Sequence, residues 1–539
     1  MPTLNWIGKE AVVNHHLQVP FHLLKDVPDL ACGEPGDGNL IVQGDNLVAL
    51  KALLPYYAGQ VKCIYIDPPY NTGNENWVYN DNVNSPVICE WLGKVVGKEG
   101  ETLDRHDRWL CMMYPRLALL RQFLREDGAI FISLDDNEIQ SLRYMMDEIF
   151  GASNFVATVL WQKVFAPKNT ARHLSEDHDY IVVYARNANV WRPNLVARSD
   201  EAKGRYKNPD NDPRGPWTSG DLQARNYYSE GTYAITCPSG RVIQRPGAGM
   251  YWRVSKNRFL DLDKDNRIYW GPKGDNMPRL KRFITDVKDG VTPQTLWLHG
   301  EVGHTQEAKK ELLAVLEFET SADVFITPKP TRLIERVVQI ATNPGDLVLD
   351  SFAGSGTTGH TVLRLNQTAP ASDPRRFILV EIEPKVAREV TAERVRRVAQ
   401  GFTNAKGDRA DGLGGGFRYC ELGEALFDEN GKIRETVNFA ELARHVYFSE
   451  TGEPLPRERV SKSPFLGSCR GVGIYLLYNG ILRDKSANGG NVLTRAVLAE
   501  VPPFDGPKVI YCAGCLVGKD RLQAERIIVR QTPYEIKVS

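Results

Sequence analysis

Apolar residues fall along this chain in two rhythms. Residues 40–42 (Leu-Ile-Val) form a short continuous run that breaks at Gly44-Asp45 and gives way to Leu47, Leu50, Leu53 and Leu54 at helical spacing. A second run, Val61–Ile66, is nearly all β-branched or aromatic, as buried parallel strands are, and leads straight into Asp67-Pro68-Pro69-Tyr70. The next segment, 108–125, places Leu110, Met113, Leu117, Leu120 and Leu124 on one helical face, and residues 129–134 then read as a strand ending in Asp135-Asp136. Residues 155–165 and 180–184 read as two further strands, an antiparallel pair at a sheet edge.

After Arg186 the rhythm fails, and it resumes only at Thr331. There Leu333, Ile334, Val337, Val338 and Ile340 mark a helix, 347–349 a strand, a glycine-rich turn and a helix follow, and 377–382 forms another strand. Strand and helix alternate on both sides of the gap, so the expected class is α/β with one mostly parallel sheet interrupted by an insert. A run of glycines over 412–416 opens a smaller C-terminal domain with no legible chemistry.

A chain of 539 residues is too long for one core and predicts two to four domains. Lys plus Arg (67) balance Asp plus Glu (67), so attraction to a polyanion must come from a local patch. The gap supplies one: between Val190 and Arg282, 18 Lys and Arg face 10 Asp and Glu. Trp191, Tyr206, Trp217, Tyr227, Tyr228, Tyr233, Tyr251, Trp252, Tyr269 and Trp270 are interleaved there with Arg205, Arg225, Arg253, Arg258 and Arg267. That mix suits phosphates and base faces; the plainer alternative is an irregular basic insert around a small aromatic core.

Polar residues interrupt every apolar run in the first thirty positions, and no later stretch reaches membrane-spanning length, so a cytoplasmic protein without membrane contact is expected. Nine scattered cysteines suit reduced thiols; Cys512 and Cys515 make half a zinc site at most. His173/His178 and His299/His304 are each five apart, off a single helical face, and no metal site is expected.

Two motifs carry chemistry. In 349–359 (LDSFAGSGTTG) a strand turns through glycines into a helix, the form that binds an adenosine-bearing cofactor. Asp350, Phe352, Gly354, Gly356, Thr357 and Thr358 lie in it, and Glu381, ending the next strand, is placed to accept ribose hydroxyls. A triphosphate P-loop would need lysine where His360 stands, a dinucleotide fold would need a third glycine, and a purely structural turn is the remaining reading. Asp67-Pro68-Pro69-Tyr70 could be a rigid turn. Transfer to an aromatic amine would also want these residues: the lone pair of such an amine is delocalised, and the Asp67 carboxylate and Pro68 carbonyl can accept its two N–H bonds while Tyr70 stacks on the ring. A base inside a duplex must first be flipped out, which calls for a basic clamp.

These residues resemble the β-class amino-methyltransferases, in which the catalytic motif precedes the cofactor motif with the target-recognition region between. The chain is more closely similar to the Mod subunits of type III restriction-modification systems through 44–46 (GDN), 64–73 (IYIDPPYNTG), 128–138 (GAIFISLDDNE), 178–187 (HDYIVVYARN), 327–334 (TPKPTRLI) and the closing 533–538. The resemblance implies a Rossmann-like, circularly permuted sheet divided as an N-terminal arm (1–34), a catalytic half (35–189), a target-recognition insert (190–320), a cofactor half (321–400) and a C-terminal domain (401–539). It implies S-adenosyl-L-methionine as cofactor, with Asp45 at its adenine, Lys329 by its methionine moiety and Phe352 packed beside it. It further implies double-stranded DNA as substrate, a homodimer, and a separate helicase-nuclease subunit as partner. Aspartate before Pro-Pro-Tyr favours adenine N6 over cytosine N4 in such enzymes, while an asparagine in its place marks relatives acting on RNA or protein glutamine. With no Walker lysine and no nuclease cluster, cleavage is not expected of this chain.

Overall fold

A ten-stranded sheet carries the fold of the computed structural model, which describes residues 4–33, 38–72, 90, 93–96, 104–167, 170–287, 290–318, 327–368, 372–404, 407–456, 463–479 and 486–532. Its strands are β1 (His22–Asp26), β2 (Leu40–Gln43), β3 (Val61–Ile66), β4 (Leu124–Leu134), β5 (Phe155–Gln162), β6 (His178–Ala185), β7 (Leu296–Trp297), β8 (Leu347–Asp350), β9 (Arg376–Glu381) and β10 (Arg418–Ala425). Across the sheet they lie in the order β1-β10-β2-β9-β8-β3-β4-β6-β5-β7. The pairs from β10 to β4 are all parallel; β1, and β6 against both its neighbours, run antiparallel. The late strands β8 and β9 are thus inserted between β2 and β3, the permuted order that the motif sequence implied.

Burial explains why the apolar runs became these strands. Every residue of β3 and β8 is buried, because helices cover both faces of a parallel sheet. The helices are α1 (Asn46–Tyr57), α2 (Arg105–Phe123), α3 (Thr305–Val315), α4 (Thr331–Ala341), α5 (Thr357–Asn366), α6 (Glu393–Gln400) and α7 (Phe439–Thr451). In α4 Leu333, Ile334, Val337 and Val338 are buried on one face, while α1 is buried nearly all round because α2 and α7 also pack on it. Among the described residues no helix is long and apolar enough to cross a membrane.

The body of the sheet reaches further along the chain than the sequence reading placed it. The expected arm 1–34 supplies β1, which pairs with β10 from the expected C-terminal domain, and β10 in turn lies against β2. An open edge on β2 would leave backbone donors and acceptors unpaired, and β10, itself edged by β1, closes it. Beyond β10 the chain adds a four-stranded sheet of β11 (Phe465–Cys469), β12 (Val472–Leu476), β13 (Lys508–Cys512) and β14 (Ile527–Gln531). Residues 533–538, part of the family likeness, lie outside the described residues.

The insert forms a compact unit over 194–293, narrower than the expected 190–320. Its flanks belong to the main sheet: Trp191 packs edge-on against Phe131 of β4, and β7 pairs with β5, burying Trp297. The unit is built on a three-stranded sheet of Trp217–Asp221, Arg279–Phe283 and Ile268–Tyr269, with Trp252, Phe259, Leu262 and Trp270 at its core. Several aromatics that the sequence offered for base faces are therefore core residues, although Tyr227 stays 77% exposed against the edge of Tyr251. Lys281 is buried between Asp210 and Asp212, and Arg214 also binds Asp212, so part of the basic excess is neutralised inside the unit. Asp212→Ala removes the buried anion on which both cations converge. Amides of 194–293 should then exchange at least about tenfold faster while those of β3 and β8 keep their protection, which hydrogen-exchange mass spectrometry would read.

Candidate active site

The two sequence motifs meet because β3 and β8 are neighbours in parallel register, Cys63 beside Val348 and Ile64 beside Leu349. Chain leaving their C-terminal ends, Asp67-Pro68-Pro69-Tyr70 from one and the Ser351 to Gly356 turn from the other, emerges side by side at the carboxyl edge, where open α/β sheets hold their ligands. Two cavities open there. One is walled by Asp67, Lys329, Asp350, Phe352, Gly354, Ser355, Thr357 and Thr358. The other, a cleft of about 380 Å³, is walled by Tyr70, Asp135, Trp161, Lys163, Phe165, Asp179 and His304. Thr327 and Lys329 line both.

Asp67 lines the first of these cavities. Its Oδ2 accepts a hydrogen bond from Lys329 Nζ at 2.5 Å, while its Oδ1 is buried with no hydrogen bond among the described residues. Burial pushes the carboxyl above its ordinary range; the Lys329 ammonium pulls it back, helped by the Tyr70 hydroxyl, which is near enough to favour the charge without reaching bonding geometry. Lys329 Nζ also sits 5.1 Å from the centre of the Tyr70 ring. The sequence reading put Lys329 beside the cofactor; the structure also makes it the counter-ion of Asp67.

Residues not singled out from sequence hold the Asp67 to Tyr70 loop. Trp109 Nε1 donates to the Pro69 carbonyl at 2.7 Å, and Asn71, at φ 58° and fully buried, donates to Glu138 Oε1 at 2.5 Å and to the Arg105 carbonyl at 3.1 Å. His106 Nδ1 lies 2.6 Å from the same Glu138 oxygen. Glu138 closes the quoted stretch 128–138, but nothing local distinguishes a buried glutamate from its exposed neighbours.

The glycine turn is shaped by backbone conformation. Gly354 and Gly356 have φ of 48° and 72°, and a Cβ on Gly356 would come within 3.0 Å of the Thr391 carbonyl. Asp350 accepts from the Phe352 amide at 3.0 Å and from the Thr358 hydroxyl at 2.6 Å. Glu381 accepts from the amides of Gly354 at 2.8 Å and Glu383 at 2.9 Å and so braces the turn; it is not among the residues lining either cavity. Asp45 lines neither cavity. It caps α1 by accepting from the Leu47 and Val48 amides, and its other oxygen pairs with the buried Arg116 at 2.9 Å.

Burial, with the nearby charges of Asp67 and Glu381, pushes Asp350 up to about 7 against the bonds from Thr358 and Phe352. In the unfolded chain its pKa returns to 3.8, so Asp350 favours the fold fully below about pH 3.8, and that contribution is lost as pH rises through 7. The stability difference between the wild type and Asp350→Asn should therefore move against the wild type between pH 4 and pH 7 in urea unfolding. Asp45→Ala, which loses a helix cap and the ion pair to the buried Arg116, should cost about 2 kcal/mol in the same assay without any ligand.

The model of the DNA methylase family matches residues 61–393. The StyLTI Mod subunit of a type III restriction-modification enzyme from Salmonella typhimurium is 34% identical over 390 residues, 67% of this chain and 57% of its own length. The EcoPI Mod subunit from Escherichia phage P1 is 30% identical over 513 residues, 83% of this chain and 74% of its own. The chain thus spans little more than half the length of the first relative. Solved structures superpose loosely: the PvuII DNA methyltransferase (cytosine-N4-specific) is 12% identical and covers 66% of this chain and 86% of its own at a TM-score of 0.33.

Proposed function

Because the chain belongs to the DNA methylase family, among the Mod subunits of type III restriction-modification enzymes, we propose that it methylates N6 of a flipped-out adenine in double-stranded DNA, using S-adenosyl-L-methionine. The observation that carries the reading is Lys329, which lines both cavities and holds one oxygen of the buried Asp67 carboxylate, whose other oxygen has no partner among the described residues. One cavity is framed by a glycine turn and carboxylates suited to a cofactor with a cationic centre, and the other by Tyr70, Trp161 and Phe165, suited to a planar base. The cofactor supplies an electrophilic methyl group on a sulfonium; the protein's part is positioning and charge.

Asp67 Oδ1 and the Pro68 carbonyl would accept the amine's two N–H bonds, drawing the nitrogen toward tetrahedral geometry and freeing its lone pair. Lys329 holds the other Asp67 oxygen, and its ammonium opposes the burial that raises the carboxyl. Tyr70 would stack on the base, and Trp109 and Asn71 fix the loop that carries all three groups, so alignment rather than a covalent intermediate lowers the barrier. After transfer the nitrogen must shed one proton, which Asp67, as one of its two acceptors, would take.

The exposed Arg225, Arg245, Arg253 and Arg258 of the 194–293 unit support its role in gripping DNA phosphates. The relatives' names as Mod subunits of restriction-modification enzymes support a separate partner subunit; a homodimer and a cytoplasmic location are part of the proposal and rest on the sequence resemblance alone. Purified protein incubated with plasmid DNA and S-adenosylmethionine should leave N6-methyladenine at one short motif by single-molecule mapping. Asp67→Ala should cut transfer by roughly 10²-fold to 10³-fold or more. Methyl groups on cytosine would overturn the assignment of the base, and unmodified DNA the assignment of the activity.

A further inference from the structure

Arg394, at the start of α6, is fully buried beneath the glycine turn and has no ion-pair partner among the described residues. One nitrogen, Nη1, makes every hydrogen bond the guanidinium has: to the Ser355 carbonyl and hydroxyl, each at 3.2 Å, and to the Thr357 hydroxyl at 2.8 Å. Nε and Nη2 are buried without a partner among the described residues. A neutral amide could supply the bonds that Nη1 makes. A charged guanidinium taken out of water without an anion costs several kcal/mol, which bracing a turn does not require. Burial pulls its pKa down to about 10, so it still carries its charge near neutrality. Glu311, whose charge reaches it from α3, is bound to the Thr331 amide and hydroxyl at 2.9 and 3.0 Å.

We propose that Arg394 is a positioning residue whose charge, held directly behind Ser355 and Thr357, draws the cofactor's α-carboxylate to the glycine-turn end of the cavity and so aims the sulfonium methyl at Asp67. The proposal rests on reading this cavity as the S-adenosylmethionine site. That cofactor carries one anion, its carboxylate, and two cations, its sulfonium and ammonium. Two cations reach this cavity: Lys329, which lines it and is paired with Asp67, and Arg394, which stands behind Ser355 and Thr357 with no anion of its own among the described residues. The cofactor's single anion is best placed near the cation that has no counter-ion, beside the first turn of the ten-residue α5. Thr357 also donates to the Lys329 carbonyl at 3.2 Å, so Arg394 stands two hydrogen bonds behind the segment that carries the counter-ion of Asp67.

The test compares S-adenosylmethionine with its decarboxylated form, which keeps the sulfonium and the adenosine and lacks only the anion. Binding of each to the full chain without DNA is measured by calorimetry. The wild type should prefer the carboxylated form by at least about tenfold, a difference of about 1.4 kcal/mol. Arg394→Gln, which keeps a donor for Ser355 and Thr357 but no charge, should bring the preference below about threefold, and Arg394→Lys should keep most of it. A purely structural Arg394 predicts instead that the preference survives in Arg394→Gln, and that result overturns the proposal. Should Arg394→Gln fail to fold, the wild-type preference and that of Arg394→Lys decide: a wild-type ratio below about threefold, or its loss in Arg394→Lys, refutes it. Binding of neither ligand by the wild type would remove the cofactor site itself, an outcome distinct from equal binding of both.

Discussion

The parallel pairing of β3 with β8 is the constraint on which this structure depends. It joins two chain segments far apart in sequence and brings their C-terminal ends out together, so Asp67 and the glycine turn share one cavity wall. The strands themselves carry no chemistry. Their fully buried faces fix the register, since a one-residue slip would turn buried side chains toward the wrong covering helices. Both long excursions, the insert after β6 and the remote segments that meet as β1 and β10, leave that central pair intact.

Charge inside a dry site is the second organising feature. Asp67, Asp350 and Glu381 crowd the carboxyl edge of the sheet, and each is managed differently. Glu381 is satisfied by backbone amides, Asp350 by a hydroxyl and an amide, and Asp67 by one lysine that leaves its second oxygen free. A buried acceptor without a partner costs free energy in an empty site, and such a cost persists where a ligand relieves it. Asp67 stands in the wall of one cavity, and the unpartnered nitrogens of Arg394 belong to a side chain bonded to Ser355 and Thr357 of that same wall.

The insert shows how far a count of charges can mislead. Its basic excess is real in the sequence, but Lys281 and Arg214 are spent on Asp212, and Trp217, Trp252 and Trp270 are spent on a core. A small unit built from short strands has little aliphatic material to bury, so aromatic rings and a buried ion cluster take that place. What remains outside for a phosphate backbone is a set of exposed arginines and Tyr227, fewer residues than the sequence offered.

The sequence by itself determined β2 to β6, β8 and β9, the helices beside them in the motif regions, and the identity of the two motifs, because those depend on local periodicity and on residues consecutive in the chain; β1, β7 and β10 carry too weak a local pattern. It also determined the chemistry Asp67, Pro68 and Tyr70 can perform, since an acceptor pair and a ring three residues apart need only the loop that Pro-Pro enforces. The tertiary structure decided everything that rests on distance between remote residues: that Lys329 meets Asp67, that Trp109 and Glu138 hold the Asp67 to Tyr70 loop, that Arg394 lies under the glycine turn, that Asp45 caps a helix, and that Glu381 braces the glycine turn. It also decided that β1 and β10, from remote parts of the chain, close one sheet edge. A carboxylate reads the same in sequence whether it faces an amide, a guanidinium or a ligand; only packing fixes its partner, and with it the role it plays.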